Sequence, residues 1–442
     1  MKKRILQLSL LLCAALLLTG CAMHTVEDMY ALPKRSEEYG YLQSAIDHAM
    51  AGLSYSAPIA GENQQTVQMA DLDGDGIEEY LVFAAGEEDV PLQVLVFKQD
   101  KEGKCTLVET IECNGTAFEQ VEYVQFDERP GCEIIIGRQV SDKVLRSVSV
   151  YTFSEGSAEL LLMNGYSKFI TCDLDENGLS ELMVLRPGEA QTQRGMAVLY
   201  SAQNGEIVRS VETELSEDTS HIQRITAGRL FGGTPAVYVA SRIGEDAIVT
   251  DIFALRDGQF TNVSFSTESD TSIRTLRNFY VYAQDIDEDG VLELPSLLTM
   301  KAISPWPTDE QKYLLRWYSM DVNGRESTKL YSYHDYVGGW YIRFYYEWAS
   351  RVSVMHGDGT YTFYAWDESY QEAVPLFTIF QFTGSNRDEE AVKDGRFALY
   401  RAEGVAYAAQ LGIMASEYDL TEEHLIECFR RSEEHTSELQ SR

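Results

Sequence analysis

Three copies of one oxygen-rich segment constrain this chain more than any other feature. Asp71–Glu79 reads DLDGDGIEE, Asp173–Glu181 reads DLDENGLSE and Asp285–Glu293 reads DIDEDGVLE. Each carries side-chain oxygens at positions one, three and five, a glycine at six and a carboxylate at nine. Alternate oxygens converge when the glycine turns the chain back, and a hard divalent cation such as Ca²⁺ takes about six to eight oxygens in this way. An EF-hand is excluded, because it needs its bidentate acid at position twelve, where Val82, Val184 and Ser296 stand. The flanks read as strands rather than helices: Val67–Ala70 and Tyr80–Phe83 around the first copy, Phe169–Cys172 and Leu182–Leu185 around the second, Phe279–Ala283 before the third.

Weaker copies lie midway between the full ones. Thr226–Ala240 aligns without gaps on Met69–Phe83, with Gly233 on Gly76, and Gly228, Leu230, Gly232 and Ala236 where the acids stand. Phe126–Glu133 reads as the same loop, one residue shorter, followed by strand Ile134–Ile136. Five units at intervals of roughly fifty residues result, a period that suits propeller blades. Hairpins between them complete four strands per unit: Leu92–Phe97 with Cys105–Glu112, Val144–Phe153 with Ala158–Met163, Ala197–Ser201 with Ile207–Glu212, and Ile248–Leu255 with Gln259–Phe265. Asn204-Gly205 and Asp257-Gly258 are strong hairpin turns.

These loops resemble the FG-GAP or VCBS-type repeats of bacterial surface proteins and are similar to the cation loops of integrin α-chain propellers. The resemblance covers roughly residues 62 to 335 and is specific at the three full loops. It implies calcium ligands at Asp71, Asp73, Asp75 and Glu79, at Asp173, Asp175, Asn177 and Glu181, and at Asp285, Asp287, Asp289 and Glu293, with two or three ions bound. The backbone carbonyls of Ile77, Leu179 and Val291 would each add an oxygen. Two of the five repeats depart from the pattern, and the Phe-Gly element of the family survives only as Phe231-Gly232.

The N-terminus reads as a lipoprotein leader. Lys2-Lys3-Arg4 precedes the apolar run Ile5–Leu18, and Leu18-Thr19-Gly20-Cys21 is a lipobox. The resemblance to bacterial lipoproteins implies cleavage before Cys21 and its acylation, which anchors the chain to the cell membrane from outside. Residues 21–61 are expected to be a tether rather than part of the fold. At the other end, Arg431–Ser441 resembles a translated sequencing adapter, so 431–442 are set aside.

Past Leu330 the chain changes character. Fourteen of the forty residues Tyr331–Tyr370 are aromatic. Strands are expected at Trp340–Tyr346, Arg351–Met355, Tyr361–Trp366, Leu376–Thr383, Phe397–Ala402 and Val405–Leu411, and a capped helix within Asp419–Phe429. The expected fold is mainly β: a β-propeller of about five four-stranded blades over 62–335, then a small α+β domain over 336–430. A sixth blade built from the first of those strands is the competing reading.

Thirty-six basic against 70 acidic residues give a net charge of −34. That excludes nucleic acid as a partner, since phosphate binding needs clustered Lys and Arg. Five cysteines remain after Cys13 and Cys21: Cys105, Cys113, Cys132, Cys172 and Cys428. Cys105 and Cys113 share a predicted strand, about 26 Å apart when extended, too far for a disulfide. They read as buried apolar residues.

No G-x-S-x-G, H-E-x-x-H, P-loop or dinucleotide fingerprint occurs. His356-Gly357-Asp358-Gly359 reads as a hairpin turn rather than a catalytic pair, and Glu87-Glu88-Asp89 as a solvated run. The expectation is a non-enzymatic, lipid-anchored recognition module for an extracellular glycan or protein. The alternative is a hydrolase or accessory subunit whose site lies in the C-terminal domain.

Overall fold

Four or more consecutive buried residues mark the second strand of each of the first four sheets. These include Leu81–Ala84, Glu133–Arg138, Glu181–Leu185 and Pro235–Ser241. A strand without a polar face must be covered on both sides, and the packing shows how. Leu81 and Phe83 meet Ile134 and Ile136 of the next sheet, while Ile135 turns the other way to meet Leu182 and Val184. Met183 and Leu185 then meet Val237 and Val239, and Ala236 and Tyr238 meet Leu294 and Tyr318. Each sheet therefore lies face to face on its successor in the chain, and the cores sit between sheets.

The computed structural model describes residues 37–431 apart from 87–90, 141–145, 189–193, 204–205, 301–311, 345–348, 350 and 368–371. The leader, Cys21, the Asn204-Gly205 turn, the Glu87-Glu88-Asp89 run and residues 432–442 lie outside the described residues. The fold is mainly β, with six antiparallel sheets among the described residues. Sheet 1 is the meander Val67–Ala70, Glu79–Ala85, Leu92–Gln99, Cys105–Cys113, with Ser54–Tyr55 added beside its second strand. Sheet 2 is Ala117–Val124, Glu133–Gln139, Arg146–Ser154, Ser157–Tyr166. Sheet 3 is Lys168–Cys172, Glu181–Pro187, Gly195–Gln203, Glu206–Arg209, with Thr213–Glu214 beside its third strand. Sheet 4 is Ile222–Arg229, Pro235–Ile243, Ala247–Arg256, Gln259–Asn262. Sheet 5 is Leu294–Thr299, Tyr313–Met320, Glu326–Asp335, Trp340–Phe344, Phe429–Arg431. Sheet 6 runs Val352–Gly357, Thr360–Asp367, Glu372–Thr383, Val405–Leu411, Phe397–Ala402 in spatial order.

Several expectations need correction. The stretch taken as a tether holds helix Glu37–Ala49, whose Leu42 and Ile46 are buried against Val82, Leu95, Phe97 and Cys105. The helix thus covers the face of sheet 1 turned away from sheet 2. Phe279–Ala283 is not a strand: the Val281 carbonyl accepts from the buried Arg277 Nε at 2.6 Å, and only the bridge Gln284↔Glu293 remains. The boundary drawn at 335/336 cuts sheet 5, which takes Trp340–Phe344 and Phe429–Arg431 from beyond it. Arg431, set aside with the adapter-like tail, pairs with Trp340 and donates from Nη1 to the Gly338 carbonyl at 2.8 Å.

The aromatic-rich segment is core. Trp340, Phe344, Phe363, Phe377 and Tyr407 fill the space between sheets 5 and 6. Thr421 caps helix Glu422–Cys428, accepting from the His424 N–H. The His356–Gly359 segment is a hairpin turn, and His356 Nε2 lies 2.5 Å from the Tyr333 hydroxyl.

Candidate metal centre

In repeats one to three the loop joins the first and second strands of a sheet and the position-nine acid begins the second strand; repeat four keeps the strands but not the acid, and in repeat five the acid Glu293 directly precedes the first strand of sheet 5. The residue before the loop pairs with that acid in four repeats: Ala70↔Glu79, Val124↔Glu133, Cys172↔Glu181 and Gln284↔Glu293. All four acids are buried. One carboxylate oxygen of each, Oε2, accepts the N–H of the apolar residue at position two. These bonds are Leu72 to Glu79 at 2.9 Å, Phe126 to Glu133 at 2.8 Å, Leu174 to Glu181 at 2.6 Å and Ile286 to Glu293 at 3.2 Å.

Position one organises the loop from the other side. Asp71, Asp173 and Asp285 accept through Oδ2 from the N–H groups of Gly76, Gly178 and Gly290 at 3.0, 2.9 and 2.8 Å. Those glycines have φ of 85°, 87° and 86°, in the left-handed region that a Cβ disfavours. Ile77, Leu179 and Val291 donate their N–H to Asp75, Asn177 and Asp289 at 2.7–2.9 Å.

The carboxylates converge. Asp71, Asp73 and Glu79, then Asp173, Asp175 and Glu181, then Asp285, Asp287 and Asp289 each offer oxygens within 4.8 Å of one another. Glu293 Oε1 and Asp287 Oδ1 are buried with no hydrogen-bond partner among the described residues, and Glu79 Oε1 is buried with the Lys98 ammonium 3.3 Å away. An orphaned buried carboxylate oxygen is costly, and a hard cation among these groups would satisfy it, so the residues fit a calcium-like ion. Burial pushes Glu181 and Glu293 up to about 7, with neighbouring aspartates adding to the rise, and it raises Glu79 as well.

Cationic side chains that the motif did not reveal enter two of the clusters. Lys98 Nζ bonds Asp73, stands 2.8 Å from Asp75 Oδ2 and 3.3 Å from Glu79 Oε1. Lys329 Nζ bonds Asp289 and lies 3.8 Å from Asp287. Both lysines come from strands far along the chain, and no local spacing points to them. In repeat two, Arg129 binds Asp127 through Nε at 2.7 Å and through Nη2, so a guanidinium occupies the middle of that loop.

The degenerate repeats keep the turn: Gly131 and Gly233 have φ of 94° and 88°. Their lengths are the reverse of the expectation. Glu133 at position nine puts Gln125 at position one, so that loop is full length. In repeat four the pairs Gly228↔Ala236 and Arg229↔Pro235 carry the ladder one residue further, and Arg229 takes position one.

Successive loops are also bonded to one another. The N–H at position eight donates to the carbonyl at position one of the preceding repeat: Cys132 to Asp71 at 3.2 Å, Ser180 to Gln125 at 2.7 Å and Leu292 to Arg229 at 3.0 Å. At the junction of repeats three and four, position eight is Pro235, which has no N–H. A cleft of about 550 Å³ opens there, between Leu174–Glu176 on one side and Arg229 with Gly232–Pro235 on the other.

No family model matches the chain, and no curated protein is similar to it. Among solved structures it is similar to the exotype rhamnogalacturonan lyase YesX at 14% identity, over 74% of this chain and 63% of that one, with a TM-score of 0.28. The chain thus spans less than two thirds of that lyase. It is likewise similar to the Bacillus licheniformis rhamnogalacturonan lyase PL11 at 14% identity, over 73% of this chain and 71% of that one, with a TM-score of 0.28. The Dos1 propeller matches at 10% identity, over 81% of this chain and 89% of that one, again with a TM-score of 0.28. At such identities and scores these likenesses say nothing about activity.

Proposed function

We propose that this chain is a calcium-stabilised recognition module of the FG-GAP/VCBS type, held outside the cell on the membrane by an acylated Cys21, with no catalysis of its own. Its six sheets are read as the blades of a propeller, with helix Glu37–Ala49 at the seam. Its partner is an extracellular glycan or protein. The observation that carries the reading is the convergence of carboxylates in three equivalent loops, with the buried oxygens Glu293 Oε1 and Asp287 Oδ1 left without hydrogen-bond partners among the described residues. When bound, the ion supplies charge compensation and cross-links the two ends of each loop. The chain's own part is to hold the oxygens in place through the position-two N–H and the glycine turn.

Extracellular calcium modules bind at about 10⁻⁴–10⁻³ M. At about 1 mM calcium and a Kd near 0.1 mM, one site adds roughly 1.4 kcal/mol, and three add about 4. Thermal unfolding with calcium and with chelator tests the metal reading, and indifference to chelator would sink it. Mass spectrometry of the membrane-extracted protein tests the anchor, which requires an acylated Cys21 at the new N-terminus. The alternative hydrolase reading would gain from turnover of glycans, esters or peptides that disappears on mutating one carboxylate or histidine of the C-terminal sheet.

A further inference from the structure

We propose that the cleft between sheets 3 and 4 is a binding site for a sugar that carries a carboxylate, gripped by Arg229 opposite the loop Asp173–Glu181. Three features single out this junction. The loop-to-loop hydrogen bond that closes the junctions of repeats one and two, two and three, and four and five is missing here, because Pro235 has no N–H to give the Asp173 carbonyl. The resulting cleft, about 550 Å³, falls within the size range of small-molecule sites. Its wall Asp175 belongs to the one full loop whose converging acids, Asp173, Asp175 and Glu181, have no lysine or arginine partner among the described residues, whereas Lys98 and Lys329 cover the corresponding clusters in the others.

Arg229 is set to receive an anion. Its Nη1 bonds Glu176 Oε1 at 2.6 Å and the Gly233 carbonyl at 2.5 Å. Its Nε–Nη2 edge, the geometry that grips a carboxylate at two points, has no protein partner among the described residues. The side chain is about half exposed, at 47%. The lining favours hydroxyl-rich matter over an apolar side chain, since Asp175, Glu176, Arg229, Thr234 and the glycine backbone outnumber Leu174, Leu255 and Pro235. The inference rests on the calcium reading, because Asp175 and Glu176 would repel an anion unless the loop carries a cation.

The test is binding of glucuronate and of glucose to the intact protein in calcium, by calorimetry or ligand-observed NMR. Glucuronate should bind and glucose should not. Arg229→Gln should weaken glucuronate at least about tenfold, the loss expected for one charge-assisted contact. Glu176→Gln should tighten it, because Glu176 competes for the same guanidinium. Equal binding of glucose, an unchanged Arg229→Gln, or preference for a dipeptide with a free C-terminal carboxylate would overturn the proposal. Melting the same samples with and without calcium separates the two claims. Calcium stabilisation without glucuronate binding defeats this inference alone, while indifference to calcium defeats the metal reading beneath it.

Discussion

The Lys98 ammonium stands 3.3 Å from Glu79 Oε1, a buried oxygen whose charge it compensates. The lysine is thus a tethered cation at the place where the loop's carboxylates converge, and an incoming ion must displace it. Lys98→Met should therefore raise the calcium affinity of this loop about tenfold, equivalent to about 1.4 kcal/mol. It should also lower the melting temperature in chelator, since the acids lose the one compensating charge they have among the described residues. Calorimetric titration of single-loop variants reads the first effect; a lower affinity would contradict the displacement.

Glycine at the first loop junction is required by contact as well as by φ. A Cβ on Gly74 would come within 2.4 Å of the Gly131 nitrogen, and one on Gly131 within 2.2 Å of the Leu72 carbonyl oxygen. At Gly76 a Cβ would meet nothing within 4 Å, so only its φ of 85° resists substitution. Gly76→Ala should then cost about 1–2 kcal/mol, and Gly131→Ala clearly more, as measured by denaturant unfolding in saturating calcium.

The pH dependence in chelator has a definite sign. Glu181 and Glu293 sit at about 7 when folded, against an ordinary value of 4.5. Their folded pKa values are raised, so their contribution to stability is whole below pH 4.5 and is lost as the pH climbs through 7. The loss is of order 3 kcal/mol per carboxyl. The chelated protein should melt higher at pH 5 than at pH 8, and added calcium should stabilise it more at pH 8, where the carboxylates are already ionised.

Helix Glu37–Ala49 should behave as part of the folded unit. Ile46 is 4% exposed against the outer face of sheet 1. Ile46→Ala should cost about 2–5 kcal/mol. Loss of amide-exchange protection in Val82 and Leu95 would accompany it, and an unaltered melting temperature would show that the helix is not docked.

What could be read in the sequence was whatever repeats locally. The strands Val67–Ala70, Phe397–Ala402 and Val405–Leu411 fall where alternation and turn residues place them. Cys105 and Cys113 end one strand, both buried and unpaired, as their spacing requires. Helix Glu37–Ala49 escaped because its apolar stripe is thin and its neighbours are polar; only sheet 1 gives Leu42 and Ile46 something to cover. Phe279–Ala283 misled because its alternation is genuine, yet Arg277 claims its backbone. Lys98 and Lys329 reach the loops through tertiary folding, which no motif spacing encodes. Gln125 and Arg229 at position one emerge only from strand register, because neither is an acid that would mark the start of the loop.

Pro235 unfastens one junction at its loop end, but the same pair of sheets is held firmly farther along the strand Ala247–Arg256. There the buried Asp251 accepts from the Ser216 N–H and hydroxyl at 2.8 and 2.7 Å, from Ser272 Oγ at 2.6 Å and from Asn262 Nδ2 at 2.8 Å. Ser216 lies two residues past Thr213–Glu214, which is hydrogen-bonded to sheet 3. At its loop end the joint has the exposed Arg229–Glu176 ion pair where the other junctions have a backbone hydrogen bond, so it resembles a jaw with Asp251 as its fulcrum and a polar latch near the tip. Loosening at this tip needs only the exposed Arg229–Glu176 pair to part, whereas each of the other loop junctions would have to give up a backbone hydrogen bond.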